Sequence, residues 1–272
     1  NFSLGRAALE SSIERAGLDL ILSAEKVKAK LKDFPWADAY FDAGAVLEEI
    51  RGARGQLLRR ALLLSLPCGL AASLLKIPRT GGEAEAGLLF TSGSSGTPKG
   101  VALSHRNLLA NCLQIRDAAV ITEGEILLGN LPLFHSFGFT VTLWFALLER
   151  IKLVTVSSPL EVKKGLNAIR EEKVTILLGT PTFLRPFLRK GTEEDLASVR
   201  CVIAGAEKTP ADFAEKWESS FGCRYFEGYG LTETSPVLSI NRPGDGSRKG
   251  SVGRLMPGVA ARSLDPDSGE PR

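Results

Sequence analysis

The chain has 272 residues, 44% hydrophobic and 24% charged, which is ordinary globular composition and excludes a disordered or collagen-like protein. Its 34 Lys and Arg against 31 Asp and Glu leave a net charge of +3, too small to point to nucleic acid. The four cysteines (Cys68, Cys112, Cys201, Cys223) form no C-x-x-C pair and the only histidines are His105 and His135, so a structural zinc site is excluded and scattered thiols without a secretory signal suggest the cytoplasm.

In chain order, Ser3 is placed to cap a helix carrying Ala8, Leu9, Ile13 and Ala16, which Gly17 ends, and Leu18 to Ser23 reads as a short strand. The chain starts with Asn and is already structured sequence by then, so we expect it to begin mid-fold. The turn-rich stretch from Leu264 to Arg272 suggests the same at the other end. Between them, Ala61 to Leu75 is a 15-residue apolar run. It holds Ser65, Pro67, Gly69 and Ser73, and it falls short of the roughly 18–20 residues of a spanning helix.

From Gly87 onward strands and helices alternate. Gly87 to Phe90 is a strand, and Ser104 caps a helix with Leu108, Leu109, Cys112 and Leu113 on one face. Ile126–Leu131, Ile151–Val156, Val174–Leu178, Val199–Ala204 and Arg224–Glu227 read as strands. Phe137–Leu148, Val162–Glu171, Phe183–Leu188 and Ala211–Phe221 read as the helices between and around them. Apolar strands separated by helices predict an α/β fold with a mostly parallel sheet flanked by helices. Beyond Gly250 the pattern changes to short strands with Pro-Gly and Ser-Gly turns. We expect an incomplete first subdomain over 1–86, a nucleotide-binding subdomain over 87–249 and the start of a β-barrel over 250–272.

Ligands of open α/β sheets bind beyond the carboxyl ends of the strands, and the unusual residues cluster there. After Phe90 come Thr91, Ser92, Gly93, Ser94, Ser95, Gly96, Thr97, Pro98, Lys99 and Gly100. The glycines let backbone amides turn toward an anion, the hydroxyls donate, and Lys99 adds charge. A bare Gly/Ser run is more often a linker; a strand before it and a capped helix after it favour a phosphate cradle. It is neither a Walker A loop nor a dinucleotide fingerprint. After Glu227 come Gly228, Tyr229, Gly230, Leu231, Thr232 and Glu233: an aromatic face for a base, a hydroxyl for a phosphate and a hard ligand for Mg²⁺. The alternative is a tight turn ahead of a helix. His135, between Phe134 and Phe137, is either a packed histidine or a site residue. Glu207 and Lys208 are either a solvated pair or part of a binding loop. There is no G-x-S-x-G elbow and no H-E-x-x-H, so serine or zinc hydrolase chemistry is excluded.

Together, TSGSSGTPKG (91–100) and GYGLTE (228–233) resemble the phosphate loop and the adenine and Mg²⁺ motif of the AMP-forming acyl-adenylate synthetases. Within these, LPLFHSFGF (131–139), LLGTPTFL (177–184), VIAGAEK (202–208), EGYGLTETSPVLSIN (227–241) and GSVGRLMPG (250–258) resemble fatty acyl-[acyl-carrier-protein] synthetases. These include the synthetase half of the bifunctional 2-acylglycerophosphoethanolamine acyltransferases. The resemblance implies that a fatty acid carboxylate attacks ATP, giving acyl-AMP and pyrophosphate, and that a phosphopantetheine thiol of acyl carrier protein, or of CoA, then takes the acyl group. Thr91 through Lys99 would hold the β- and γ-phosphates, Thr232 the α-phosphate and Glu233 the Mg²⁺. Tyr229, with Gly205, Ala206 and Glu207, would enclose the adenine of ATP or AMP. His135 would lie beside the acyl carboxylate, and Gly179, Thr180 and Thr182 near the acyl channel, with Gly205. The family's ribose-binding Asp, hinge and catalytic Lys would fall beyond Arg272, so we expect this stretch alone to be inactive or nearly so. The rival readings are an acyl-CoA ligase and a nucleotide-binding module without chemistry.

Residues 51–80 carry Arg51, Arg54, Arg59, Arg60, Lys76 and Arg79 and no acid. Leu57, Leu58, Ala61 and Leu62 fall on one helical face, with Leu70, Leu74 and Leu75 beyond Pro67. We expect two short helices broken at Pro67 and Gly69. Either they make peripheral contact with an anionic membrane at its inner face, or they pack on the sheet with their leucines buried.

Overall fold

The computed structural model describes residues 5–36, 40–52, 62–91, 98–244, 248 and 250–271. They divide into two compact units, Asn1–Ala84 with Phe90–Gly100, and Glu85–Leu89 with Val101–Arg272.

In the first unit, α1 (Arg6–Ala16) ends where Gly17 takes a left-handed φ of 59° and its N–H closes the last turn, the role that the missing Cβ makes cheap. Its N-cap is Gly5, with no side-chain cap. The expected cap, Ser3, lies outside the described residues. β1 (Ile21–Ser23), α2 (Glu25–Lys30), β2 (Tyr40–Asp42), α3 (Ala43–Gly52) and α4 (Cys68–Leu74) follow. β1 and β2 pair in parallel, Leu22 opposite Phe41. Residues 62–65 are helical and α4 starts after its N-cap Pro67, so the expected break falls at Pro67, whereas Gly69 sits within α4 and breaks nothing. Arg54, Leu57, Leu58, Arg59, Arg60 and Ala61 lie outside the described residues.

β3 (Glu85–Thr91) and β4 (Lys99–Ser104) form a two-stranded sheet. The expectation of a helix directly after the Gly/Ser loop is corrected here: a strand comes first, because Val101-Ala102-Leu103 alternates, with Leu103 buried. Leu89 and Leu103 pack with Leu108. The Ser104 cap is as expected. Its hydroxyl accepts from Asn107 N–H, and the Asn107 side chain accepts in return, starting α5 (His105–Asp117). Leu108 and Cys112 are buried in it, but Leu109 turns outward.

The second unit is built on a seven-stranded sheet. Its strands are β5 (Ile126–Gly129), β6 (Lys152–Thr155), β7 (Ile176–Gly179), β8 (Cys201–Ala204), β9 (Arg224–Gly230), β10 (Val237–Ile240) and β11 (Arg254–Leu255). Their spatial order is β11-β10-β9-β8-β7-β5-β6. β6, β5, β7, β8 and β9 run parallel; β10 pairs antiparallel with β9, and β11 antiparallel with β10. The strand residues are apolar on both sides because both faces are covered. Leu127, Ile176, Leu178, Ile203 and Phe226 face one core layer. Leu128, Leu177, Val202 and Tyr225 face the other. The first layer holds α5 and a π-helical segment, Gly138–Phe145, that runs on into α6 (Ala146–Leu148). The second holds α7 (Val162–Glu172), α8 (Pro181–Lys190) and α9 (Phe213–Phe221). The chain leaves β5 over one face to reach β6 and returns over the other to β7, so the strand order reverses between β5 and β7. Such a reversal opens a crevice at the carboxyl ends of the strands.

The GYG stretch is part of β9 and not a loop beyond it. Gly230 opposes Val237, Tyr229 opposes Ser239 and Gly228 opposes Ile240. β10 was not expected. After Gly250 the chain adds only β11 to the edge of the same sheet, with an isolated bridge between Leu264 and Pro271; no closed barrel forms among the described residues.

Candidate functional site

The ends of β8 and β9 and the chain after β5 open onto one cleft. Its walls are apolar: Ile115 of α5, Val120 and Ile121 just after it, Val141 of the π-helical segment, and Ile203, Ile240 and Met256. The polar lining comes from His135, Ser136, Tyr229 and the backbone around Gly205, Ala206, Gly228 and Gly230. Val120 is held by the residue that precedes β8. Arg200 donates to its carbonyl (2.7 Å) and to the buried Glu125 carboxylate (2.6 Å).

His135 and Ser136 reach the cleft because the chain doubles back after β5. His135 N–H donates to the Pro132 carbonyl (3.2 Å), and Phe139 N–H to the His135 carbonyl (2.8 Å). A Cβ on Gly138 would sit 2.2 Å from the Pro132 oxygen, so only glycine permits this reversal. The His135 ring accepts a hydrogen bond at Nδ1 from Phe137 N–H (3.3 Å). His135 as a residue is exposed at the cleft mouth, yet partial desolvation of its ring lowers its pKa from the usual 6.5. At neutral pH the ring is therefore uncharged with its proton on Nε2, a donor and not a cation.

Thr232 opens the single 3₁₀ turn Thr232–Thr234, fixed by Leu231 N–H to Thr234 Oγ1 (3.0 Å) and by Thr234 Oγ1 to the Pro236 carbonyl (2.6 Å). Thr232 Oγ1 donates to Ser136 Oγ (3.2 Å). Gly230 ends β9 against this turn, where a Cβ would meet the Pro236 oxygen at 2.0 Å. Tyr229 is 47% exposed at the cleft. Glu233 is exposed, and no ion pair to it is found among the described residues. Those residues also contain no group of three or more His, Cys, Asp or Glu able to hold a metal. One free carboxylate on a fixed turn fits Mg²⁺, which keeps waters and phosphate oxygens as its other ligands.

Gly179, Thr180, Thr182 and Glu207 are brought together beside the cleft and do not line it. Gly179 is packed against Leu184, and Thr180 is the N-cap of α8, accepting from Phe183 N–H (3.3 Å). Glu207 accepts from Thr182 N–H (3.2 Å) and Oγ1 (2.7 Å). Its carboxylate thus ties the loop after β8 to the start of α8, while Ala206 takes a left-handed φ of 67°. Thr91 and Lys99 belong to the first unit, where Thr91 Oγ1 donates to the Lys99 carbonyl (3.5 Å) and Lys99 is exposed. Ser92, Gly93, Ser94, Ser95, Gly96 and Thr97 lie outside the described residues. Ser136, Val120, Ile121, Pro236 and Met256 were not singled out from the sequence. Ser136 adjoins His135 and was within reach, whereas apolar lining residues carry no local signal.

The site is thus an apolar cleft in a mostly parallel α/β sheet, with a hydroxyl and a carboxylate on one turn beside it. The chain belongs to the AMP-binding enzyme family, which matches residues 2–272. The long-chain-fatty-acid–CoA ligase of Bacillus subtilis (strain 168) is 32% identical over 204 residues, 72% of this chain and 36% of that protein. A feruloyl-CoA synthase of Amycolatopsis is 33% identical over 187 residues, 68% of this chain and 38% of that one. Among solved structures, ATP-bound MatB from Rhodopseudomonas palustris has 31% identity and a TM-score of 0.66, over 72% of this chain and 38% of its own. The N-terminal domain of FACL13 from Mycobacterium tuberculosis shares the fold across 100% of this chain and 65% of its own, with a TM-score of 0.77 at 22% identity. The chain spans little more than a third of the length of these curated relatives.

Proposed function

We propose that this chain carries the carboxylate-activating site of an AMP-forming fatty acid–thiol ligase. The observation that supports it most is the apolar cleft whose polar groups gather at His135, Ser136 and the end of β9. An alkyl tail in the cleft gains about 0.8 kcal/mol per buried CH₂, while its carboxylate meets the Nε2–H of neutral His135. One carboxylate oxygen attacks the α-phosphorus of ATP and pyrophosphate departs, leaving acyl-AMP. The thiol then attacks the acyl carbonyl and AMP leaves. Thr232 donates to the α-phosphate and Tyr229 offers its ring to adenine. Glu207, by holding the loop after β8, sets the backbone of Gly205 and Ala206 against the base. Glu233 would hold Mg²⁺, which when bound neutralises phosphate charge. Lys99 and the hydroxyls from Thr91 to Thr97 are proposed for the β- and γ-phosphates. Positioning and charge neutralisation are the whole of the protein's work here.

CoA is the acceptor in the names of the two curated relatives, and we take it as the thiol in preference to a carrier protein. The test is ATP–pyrophosphate exchange with a fatty acid in the whole protein, then CoA and acyl carrier protein supplied side by side. We expect fatty-acid-dependent exchange, acyl-CoA as product, and loss of exchange in Glu233→Gln with fatty acid binding retained. Exchange in Glu233→Gln within about threefold of the parent, under 1 kcal/mol on the barrier, overturns the metal assignment. Acyl-carrier product alone overturns the acceptor, and no exchange leaves the nucleotide-binding module.

A second reading concerns an anionic membrane surface. Leu64 is 86% exposed, with Leu62 and Leu74 each 62% exposed, beside Lys76 and Arg79 in a stretch without acids. Exposed leucines among cations favour lipid contact over the packing alternative, which required them buried.

A further inference from the structure

We propose that Ser136 is a positioning residue that presents the Thr232 hydroxyl to the nucleotide; the proposal rests on the reading of Thr232 given above. Ser136 is 4% exposed and lines the cleft, and its Oγ is the partner of Thr232 Oγ1 at 3.2 Å, across 96 residues of sequence. Among the described residues that is the hydrogen bond recorded for Thr232 Oγ1. A threonine hydroxyl has one proton. While Thr232 gives it to Ser136, none is left for a phosphate oxygen. Ser136 has a proton of its own, so two O–H rotations reverse the bond. Ser136 then donates to Thr232, and the Thr232 proton points at the anion. No bond is broken and no net proton moves. Ser136 fixes the Thr232 rotamer in both states, so the donor is in place before the phosphate charge develops. The same contact joins the chain after β5, which carries His135, to the 3₁₀ turn that carries Glu233. The carboxylate end of the cleft and the phosphate end are thereby held at one spacing.

The test is a double-mutant cycle in the whole protein: Ser136→Ala, Thr232→Ala and the pair, read by ATP–pyrophosphate exchange. Ser136→Ala is expected to lower kcat about 5–10-fold, with the fatty acid KM within about twofold, and to cost less than about twofold when Thr232 is already Ala. Ser136→Cys, close in size and a poor acceptor, should follow Ser136→Ala and covers the case in which the alanine variant does not fold. Equal losses in both backgrounds, as simple repacking of the cleft would give, overturn the proposal, as does no loss in either serine variant. Thr232→Ala with undiminished exchange instead overturns the phosphate role of Thr232, and that result comes from a different variant.

Discussion

At the residue scale, His135 lines the cleft in a protonation state set by its surroundings. The Phe137 N–H on Nδ1 and the desolvated ring both favour the neutral form. The folded-state pKa lies below the unfolded value near 6.5, so folding is linked to proton release. Above pH 6.5 this residue adds no pH dependence. As pH falls from there through the folded pKa, the unfolded chain takes up its proton first and stability drops. With only two histidines in the chain, NMR can follow this directly, the signal being assigned by its loss in His135→Gln. We expect a midpoint below 6.5; one above it would mean that an anion and not desolvation governs the ring. The sequence placed His135 correctly at the strand end but could not choose between packed and functional. Its tautomer depends on a bend that Gly138 allows against the Pro132 oxygen, and that contact is invisible until the chain folds. Gly179, Thr180 and Thr182 show the converse. Their strand-end position was legible, but their engagement with Leu184, Phe183 and Glu207 was not.

At the element scale, the parallel strands and the helices α7, α8 and α9 were legible because each strand is a short apolar run and each of these helices has one buried stripe. β4 and β10 were not. Each follows a segment rich in glycine or hydroxyl residues that looks like the run-in to a helix, and each becomes a strand by pairing with a neighbour. In β9, Gly228 and Gly230 have no β propensity of their own; the close approach of β10 and of Pro236 is what requires them. The contact between α7 and α8 tests the same logic. Gly165 lies in α7 at an ordinary helical φ, where alanine would normally stabilise by about 0.4–1 kcal/mol. Its Cβ would come within 2.7 Å of Phe187 Cζ, and Phe187 is 1% exposed with nowhere to move. Overpacking should win, so Gly165→Ala is expected to lose about 1–3 kcal/mol, read as a lower urea midpoint at unchanged slope. An unchanged or raised midpoint would show that α7 and α8 slide apart freely.

At the scale of the whole molecule, the two units differ in how they spend their apolar residues. The second unit buries them in two layers about a sheet. The first leaves Leu62, Leu64, Leu70, Leu74, Leu75 and Ile77 each at least 50% exposed. No helix among the described residues is long and apolar enough to cross a membrane, so lipid contact by α4 and its flanks would be contact with a surface. A cationic stretch without acids attracts anionic headgroups at about 1 kcal/mol per Lys or Arg, and that attraction falls off with salt. Leucines inserted below the headgroups would hold on regardless of salt. The two terms separate in a flotation assay of the whole protein with vesicles containing phosphatidylserine or only phosphatidylcholine. We expect flotation with anionic vesicles at low salt, weaker flotation at high salt, and loss when Lys76 and Arg79 become Glu together. Leu74→Ser with Leu75→Ser should weaken binding at both salt concentrations, because it removes the term that salt does not screen. Absence of flotation at low salt would mean that protein and not lipid covers these leucines.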